Sequence, residues 1–253
     1  MSQPPASLRI LQLLPALNEG GVERGTVELN REFAARGHES HVASRGGRLV
    51  EAIQRDGGFH HPLDLASKNP LTAPWRALRL ARLFDRLEPS VIHARSRVPA
   101  WLAVLANRRP RRPFVTTVHG LNRVNAYSRV MTFGDRVICV SELVAEYVRQ
   151  HYRVDPGRIR VIQRGVDLRH FDPARLDRRF IEEFRRRHGL EGRRVALSVG
   201  RITWLKDYES FIRAVALVRR QRPDLVGVIA GGVAPDKQRY FESLQALCRE
   251  LGV

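Results

Sequence analysis

With two cysteines in 253 residues, Cys139 and Cys248, the chain has no disulfide framework. The two stand far apart in apolar patterns and read as buried thiols, neither with metal-ligand spacing. No run approaches the roughly 18 apolar residues of a membrane-spanning helix. Aromatic residues make up 7% of the chain, too few to interleave with a basic nucleic-acid surface, and no helix-turn-helix or zinc-finger pattern occurs. Also missing are the Walker A loop, G-x-S-x-G, H-E-x-x-H and C-x-x-C. There is no repeat of fixed period and no low-complexity tract.

Acidic residues are scarce too: 26 Asp and Glu face 44 Lys and Arg, a formal charge of +18 in which arginine dominates. Such a field attracts nucleic acid, acidic lipid headgroups or phosphorylated glycolipids. An arginine bias also follows from a GC-rich genome, so composition alone marks no site. The 43% hydrophobic content suffices for a core, and the length suits one large domain or two small ones. Met1–Ser7 is polar, and Leu8–Leu14 is interrupted by Arg9 and Gln12, unlike a secretory signal; the expected location is cytoplasmic.

Short β-rich runs alternate with helical stretches. Strands are expected at Arg9–Leu14, Ser40–Ala43, Phe59–Leu65, Val91–Ala94, Phe114–Val118, Arg136–Val140 and Arg160–Ile162. Helices are expected at Val22–Arg36, Leu49–Asp56, Thr72–Arg86, Pro99–Asn107 and Glu142–His151. This is the α/β pattern of a doubly wound parallel sheet covered on both faces. The expected division is a first domain over 1–170, a linker or interdomain helix over 171–192 containing the basic Arg178–His188, and a second domain over 193–253. In that last part the alternation restarts: strand Val195–Val199, helix Tyr208–Arg220, strand Leu225–Ala230, helix Asp236–Leu251. Two strands and two helices are few for a stable doubly wound domain, so the second is expected to be incomplete.

Ligands of parallel α/β sheets bind beyond the carboxyl ends of the strands, so each strand exit is a candidate. The first leads into Gly20-Gly21, with Glu23 and Arg24 and a helix opening near Val22; glycines allow close backbone approach and a helix N-terminus offers free amides to an anion. The spacing is not that of G-x-G-x-x-G. The fourth exit carries His93, Arg95 and Arg97, and the fifth His119-Gly120. A histidine at a strand end is commonly a satisfied structural group, but two at neighbouring exits suggest a site. Ser141 reads as a helix cap. Arg164-Gly165-Val166-Asp167 follows the seventh run, where Asp167 either binds a hydroxyl or closes a turn. The stretch Leu197–Lys206 says most: an apolar strand ends at Gly200 and delivers Arg201 and Lys206 beside a helix start, a setting suited to a diphosphate. Gly231-Gly232 ends the last strand.

Together these pieces resemble the GT-B glycosyltransferases of family GT4, the glycosyl transferases group 1, in the family's own order and over nearly the whole chain. The Gly200-Arg201…Lys206 segment and the Gly165-Val166-Asp167 turn are the most specific. The resemblance implies two Rossmann-like domains and transfer of a sugar from a nucleotide-diphosphate sugar to a glycan or lipid-linked acceptor, such as lipopolysaccharide or another cell-envelope polysaccharide. It implies retention of anomeric configuration, no metal and no further cofactor; Asp-x-Asp does not occur. Arg201 and Lys206 match the pair that holds the donor diphosphate and stabilises the leaving group. Gly20 and Gly21 match a loop facing donor phosphate and acceptor, and His119 an active-site histidine near the transferred sugar. Arg24, His93, Arg95, Arg164, Asp167, Gly200 and Gly231 join the substrate-binding candidates.

The chain departs from the family in two ways. Members usually carry Asn where Arg164 stands. The family's Glu-x7-Glu segment would lie beyond Val253, so the chain by itself is expected to lack substantial activity. The basic surface favours an anionic or membrane-bound acceptor, and Thr72–Arg86 and Arg178–His188 are candidates for peripheral attachment to an anionic membrane. The alternatives are a non-catalytic glycan- or partner-binding module, a nucleic-acid binder and a GT-B sugar-nucleotide epimerase; no nucleic acid is expected.

Overall fold

A computed structural model describes residues 7–168 and 170–253. Most of the polar N-terminal stretch, residues 1–6, lies outside the described residues. Contacts divide the chain into two units, Met1–Asp167 and Leu168–Val253.

In the first unit the elements alternate as β1 (Arg9–Leu13), α1 (Gly21–Ala35), β2 (Glu39–Ser44), α2 (Val50–Arg55), β3 (Phe59–Pro62), α3 (Ala73–Leu87), β4 (Val91–Ala94), α4 (Arg97–Ala106), β5 (Phe114–Val118), α5 (Ala126–Arg129), β6 (Arg136–Cys139), α6 (Glu142–Tyr152) and β7 (Ile159–Val161). The seven strands form one sheet in the order β3-β2-β1-β4-β5-β6-β7. All six pairings are parallel. The order reverses between β1 and β4, and there the connecting helices part and leave a crevice at the carboxyl ends. Its core runs from Leu11 and Leu13 through Ile92, Phe114 and Val137, covered by Leu80, Leu83 and Phe84 of α3 and by Leu102 and Val144. Cys139 is buried there, and burial above all pushes its thiol up to about 11.

Local chemistry sets the element ends. Ser141 caps α6, its hydroxyl accepting from the Val144 amide at 3.3 Å. The reading of β3 as far as Leu65 is too long: Pro62 has no amide to donate, and the ladder stops there. The loop that follows is fastened by Arg76, a buried residue at 5% exposure. Its guanidinium donates to the carbonyls of Ser67 and Asn69, both at 2.9 Å, and to the Thr72 hydroxyl at 3.1 Å.

The second unit holds α7 (Arg178–Arg187), β8 (Arg194–Val199), α8 (Tyr208–Arg219), β9 (Leu225–Ala230) and α9 (Gln238–Glu250). β8 and β9 pair in parallel. Ile202, Tyr208, Ile212, Leu244 and Leu247 form its core. Along β8 the alternate residues Val195, Leu197 and Val199 are exposed. α7 buries no residue.

Candidate active site

In the first unit, chemistry-bearing residues gather at the sheet's switch point. α1 opens after Gly20 with no side-chain cap, so its first amides stay available. Gly20 has φ +153°, where side chains are disfavoured, and a Cβ there would strike the Glu23 carboxylate. On the next β-exit, Arg95 hangs from the end of β4. It is 7% exposed, and its Nη1 reaches Gln12 Oε1 at a long 3.4 Å. Its Nε is buried with no hydrogen-bond partner. An ionised donor left unpaired in the interior is costly, and a site that tolerates one is built to receive an acceptor.

A second guanidinium comes from the segment after β7. Residues 162–167 lead back from the edge strand toward α1; six extended residues span ~20 Å, comparable to the four ~4.8 Å spacings between β7 and β1. Arg164 Nη1 donates to the Gly21 carbonyl, and Nη2 to Glu28 Oε2 at 3.1 Å. Arg31 pairs with Asp167 at 2.8 Å, fixing the same segment further along α1. Two glycines on α1 make this possible. A Cβ on Gly21 would approach Arg164 Nη1 to 3.0 Å, and one on Gly25 would approach Arg95 Nη2 to 3.2 Å. Two cations thus crowd a glycine-faced helix start. Arg95 is lowered to about 10, by burial first and by Arg164 second, against the opposing pull of Glu28 and Glu23.

His119, just past β5, keeps an exposed face to solvent. The protein around it, then the charges of Arg95 and Arg164, lowers its pKa, and its exposed face argues for a smaller shift than that of a fully enclosed ring. The imidazole is therefore neutral near pH 7 and can donate or accept one hydrogen bond. His93 has a different place. It lies inside β4, 7% exposed, with Nε2 at 2.7 Å from Thr117 Oγ1. Burial first, then Arg95 and His119, holds it down to about 3. It is a neutral packing group behind the site. Arg24 is exposed on α1, and Asp167 is taken up by Arg31. Gln12, Gly25 and Glu28 belong to the cluster and were not singled out from the sequence; only Gly25, a glycine inside a helical pattern, carried a signal there.

In the second unit, Gly200 ends β8. The loop Arg201–Asp207 runs to α8, whose cap Asp207 stands at φ +49° and accepts from the Ser210 amide at 3.4 Å. Gly231 faces Gly200, and a Cβ on it would overlap the Gly200 carbonyl oxygen. Gly231 is thus required by close packing of the strand ends, while the space beside Gly200 is taken by the side chains of Lys206 and Tyr208. Arg201 and Lys206 are exposed, and among the described residues neither has a carboxylate within ion-pair distance. The Lys206 stem lies against Gly200, where a Cβ would sit 3.0 Å from its Cε. These are unneutralised cations beside a helix start, the setting for a phosphorylated ligand. Among the described residues no three His, Cys, Asp or Glu side chains are grouped to hold a metal ion.

Comparison with known proteins agrees with this architecture. The Glycosyltransferase Family 4 model matches residues 19–170, and the Glycosyl transferases group 1 model matches residues 180–253. A D-inositol 3-phosphate glycosyltransferase of Thermomonospora curvata is 27% identical over 270 residues, covering 92% of this chain and 63% of that protein. The chain therefore spans under two thirds of the length of this curated relative. Among solved structures, a glycosyltransferase from Rickettsia africae superposes with a TM-score of 0.83 at 28% identity, over 98% of this chain and 66% of the other. Anabaena Alr3699/HepE, in complex with UDP and glucose, superposes at 0.82 with 17% identity, over 97% of this chain and 67% of the other, a likeness of fold. On its sheet order, its ordered strand-exit residues and these matches, the chain belongs to glycosyltransferase family 4, with the GT-B architecture.

Proposed function

We propose that this protein transfers a sugar from a nucleotide-diphosphate sugar to an acceptor that carries an anionic group, with retention of configuration and without a metal. The observation that carries the acceptor half is the buried, unpartnered Nε of Arg95 beside Arg164 at the open start of α1. A phosphate there would receive the missing hydrogen bond and relieve the repulsion between two guanidinium groups. A phosphorylated polyol or phosphorylated cell-envelope glycolipid has this chemistry. The name of the Thermomonospora curvata relative, D-inositol 3-phosphate glycosyltransferase, is in keeping with it.

For the donor half, Arg201 and Lys206 hold the diphosphate and stabilise the charge that builds on it as the glycosidic bond breaks. Positioned cations at the leaving oxygens lower the barrier only where they bind the departing diphosphate more tightly than the bound donor. His119, neutral, hydrogen-bonds the transferred sugar. The UDP and glucose bound by the Anabaena protein support a nucleotide-sugar donor.

Calorimetric titration tests both halves. UDP is expected to bind the protein, and Arg201→Ala and Lys206→Ala each to weaken it on the order of tenfold to a hundredfold. myo-Inositol phosphate is expected to bind more tightly than myo-inositol, with Arg95→Gln and Arg164→Gln removing that preference. Equal affinity for the phosphorylated and neutral polyols would overturn the acceptor reading, and UDP affinity indifferent to both cations the donor reading.

A further inference from the structure

α3 has two unlike faces. At 100° per residue, Arg76, Ala77, Leu80, Leu83 and Phe84 fall on one side, and all are buried. Trp75, Leu78, Arg79, Arg82 and Arg86 fall on the other, and Leu71 precedes them on the same line. Leu71 is 88% exposed, Trp75 60% and Leu78 50%. The Arg79 guanidinium carbon stands 4.7 Å from the centroid of the Trp75 ring. With His61, Pro62 and Leu63 from β3 and its sequel, Arg79, Arg82 and Arg86 line a surface concavity of about 330 Å3.

Among the described residues, none of these three arginines has a carboxylate within ion-pair distance. The adjacent acid on α3, Asp85, is 3.9 Å from Arg112. Asp64, in the neighbouring loop, accepts from the amides of Ala66 and Ser67. The other basic helix differs. On α7, Arg187 pairs with Glu183 at 2.9 Å, and Arg185 donates to the carbonyls of Leu190 and Arg193. Among the described residues, only α3 combines a hollow lined by guanidinium groups without a carboxylate partner with an exposed tryptophan and two exposed leucines along one stripe.

We propose that the outer face of α3 docks this protein on an anionic lipid bilayer, with Leu71, Trp75 and Leu78 in the interface and Arg79, Arg82 and Arg86 on lipid phosphates. A tryptophan suits the interface because its ring is apolar and its N–H polar. Arginine bodies lie along apolar surface while their heads reach phosphate. The amphipathic helix lies in the plane of the membrane with the seven-stranded sheet behind it. The proposal is independent of sugar transfer, since binding is read with no donor or acceptor present.

Co-sedimentation of the chain with vesicles tests it. Binding is expected to vesicles of phosphatidylcholine containing phosphatidylglycerol, weaker with phosphatidylcholine alone and weaker as salt rises. The triple variant Arg79→Gln, Arg82→Gln, Arg86→Gln is expected to lower the partition coefficient on the order of a hundredfold. A triple variant of equal charge change on α7, Arg178→Gln, Arg179→Gln, Arg187→Gln, is expected to bind nearly as the parent does. Tryptophan emission is expected to shift to the blue on vesicle addition, and Trp75→Phe to remove the shift. Should the α3 triple variant fail to fold, Trp75→Ser alone is expected to weaken binding. Unchanged binding by the α3 variants, or an equal loss on α7, would overturn the proposal. So would displacement by inorganic phosphate well beyond that by chloride of equal ionic strength, which would mark a site for soluble phosphate.

Discussion

The Tyr208 hydroxyl donates a 2.6 Å hydrogen bond to the carbonyl of Gly200 and ties the start of α8 to the end of β8. The loop between them carries Arg201 and Lys206, so one buried phenol holds two cations in place. Tyr208→Phe is expected to leave the Gly200 carbonyl unpaired, lowering stability by about 1–3 kcal/mol. UDP affinity should fall several-fold as the loop loosens. Denaturant unfolding and UDP titration on the same variant check this; destabilisation with unaltered UDP binding would detach the bond from ligand recognition.

Arg95 illustrates a site group held against its own preference. Burial lowers its pKa from the ordinary guanidinium range to about 10, so its charge costs the fold on the order of 3 kcal/mol. For a base with a depressed pKa, that cost is fully present below about pH 10 and fades above it, where the unfolded chain still binds the proton and the folded one does not. Arg95→Met is therefore expected to raise the unfolding free energy at pH 7 while weakening phosphorylated ligands. Chemical denaturation decides: a large loss of stability would make Arg95 a structural residue.

His93 gives a dependence of the same sign at low pH. Its folded value of about 3 lies below the ordinary 6.5, so the unfolded chain takes up the proton first. Its contribution is complete above about pH 6.5 and declines by about 1.4 kcal/mol per pH unit as pH falls from there toward 3. His61, lowered to about 4 by burial first and then by the charges of His41, Arg86 and His60, adds to the same slope. His93→Gln should flatten the decline of stability between pH 7 and 5 by about 2 kcal/mol. Urea midpoints at the two pH values measure it, and parallel slopes for parent and variant would refute the assignment.

The two closing glycines of β9 should separate cleanly. Gly231→Ala drives a methyl into the Gly200 carbonyl, whereas a Cβ on Gly232 meets nothing within 4 Å. The first is expected to destabilise the second unit by ~1–3 kcal/mol or more, and the second hardly at all. Proteolysis of the Leu168–Val253 unit under mild denaturant would report it.

Periodicity and punctuation revealed most of the architecture. β4, β5 and β9 match the expected Val91–Ala94, Phe114–Val118 and Leu225–Ala230, because each is an apolar run with sharp polar or proline borders. α5 was missed because four residues, Ala126–Arg129, cannot display a helical period. α4 begins at Arg97, before the expected Pro99, since a proline is tolerated in a first turn and Ser96 stands ahead of it. At the candidate site, strand-exit residues were legible because topology alone takes them there. Glu28, Gln12 and Gly25 were not: the role of Glu28 depends on how the segment after β7 returns Arg164 to α1, and those of Gln12 and Gly25 on where the Arg95 side chain lies. His93 was legible as a residue but not as a role: one register step decides whether a ring looks into the crevice or onto Thr117.

The first unit's sheet finishes on very little backbone. At one margin stands β3, four residues ending in a proline; at the other stands β7, with three. Such stubs give a foreign strand almost no ladder to extend. The first unit is thereby spared one common route to clumping, although both margins of its sheet are left naked.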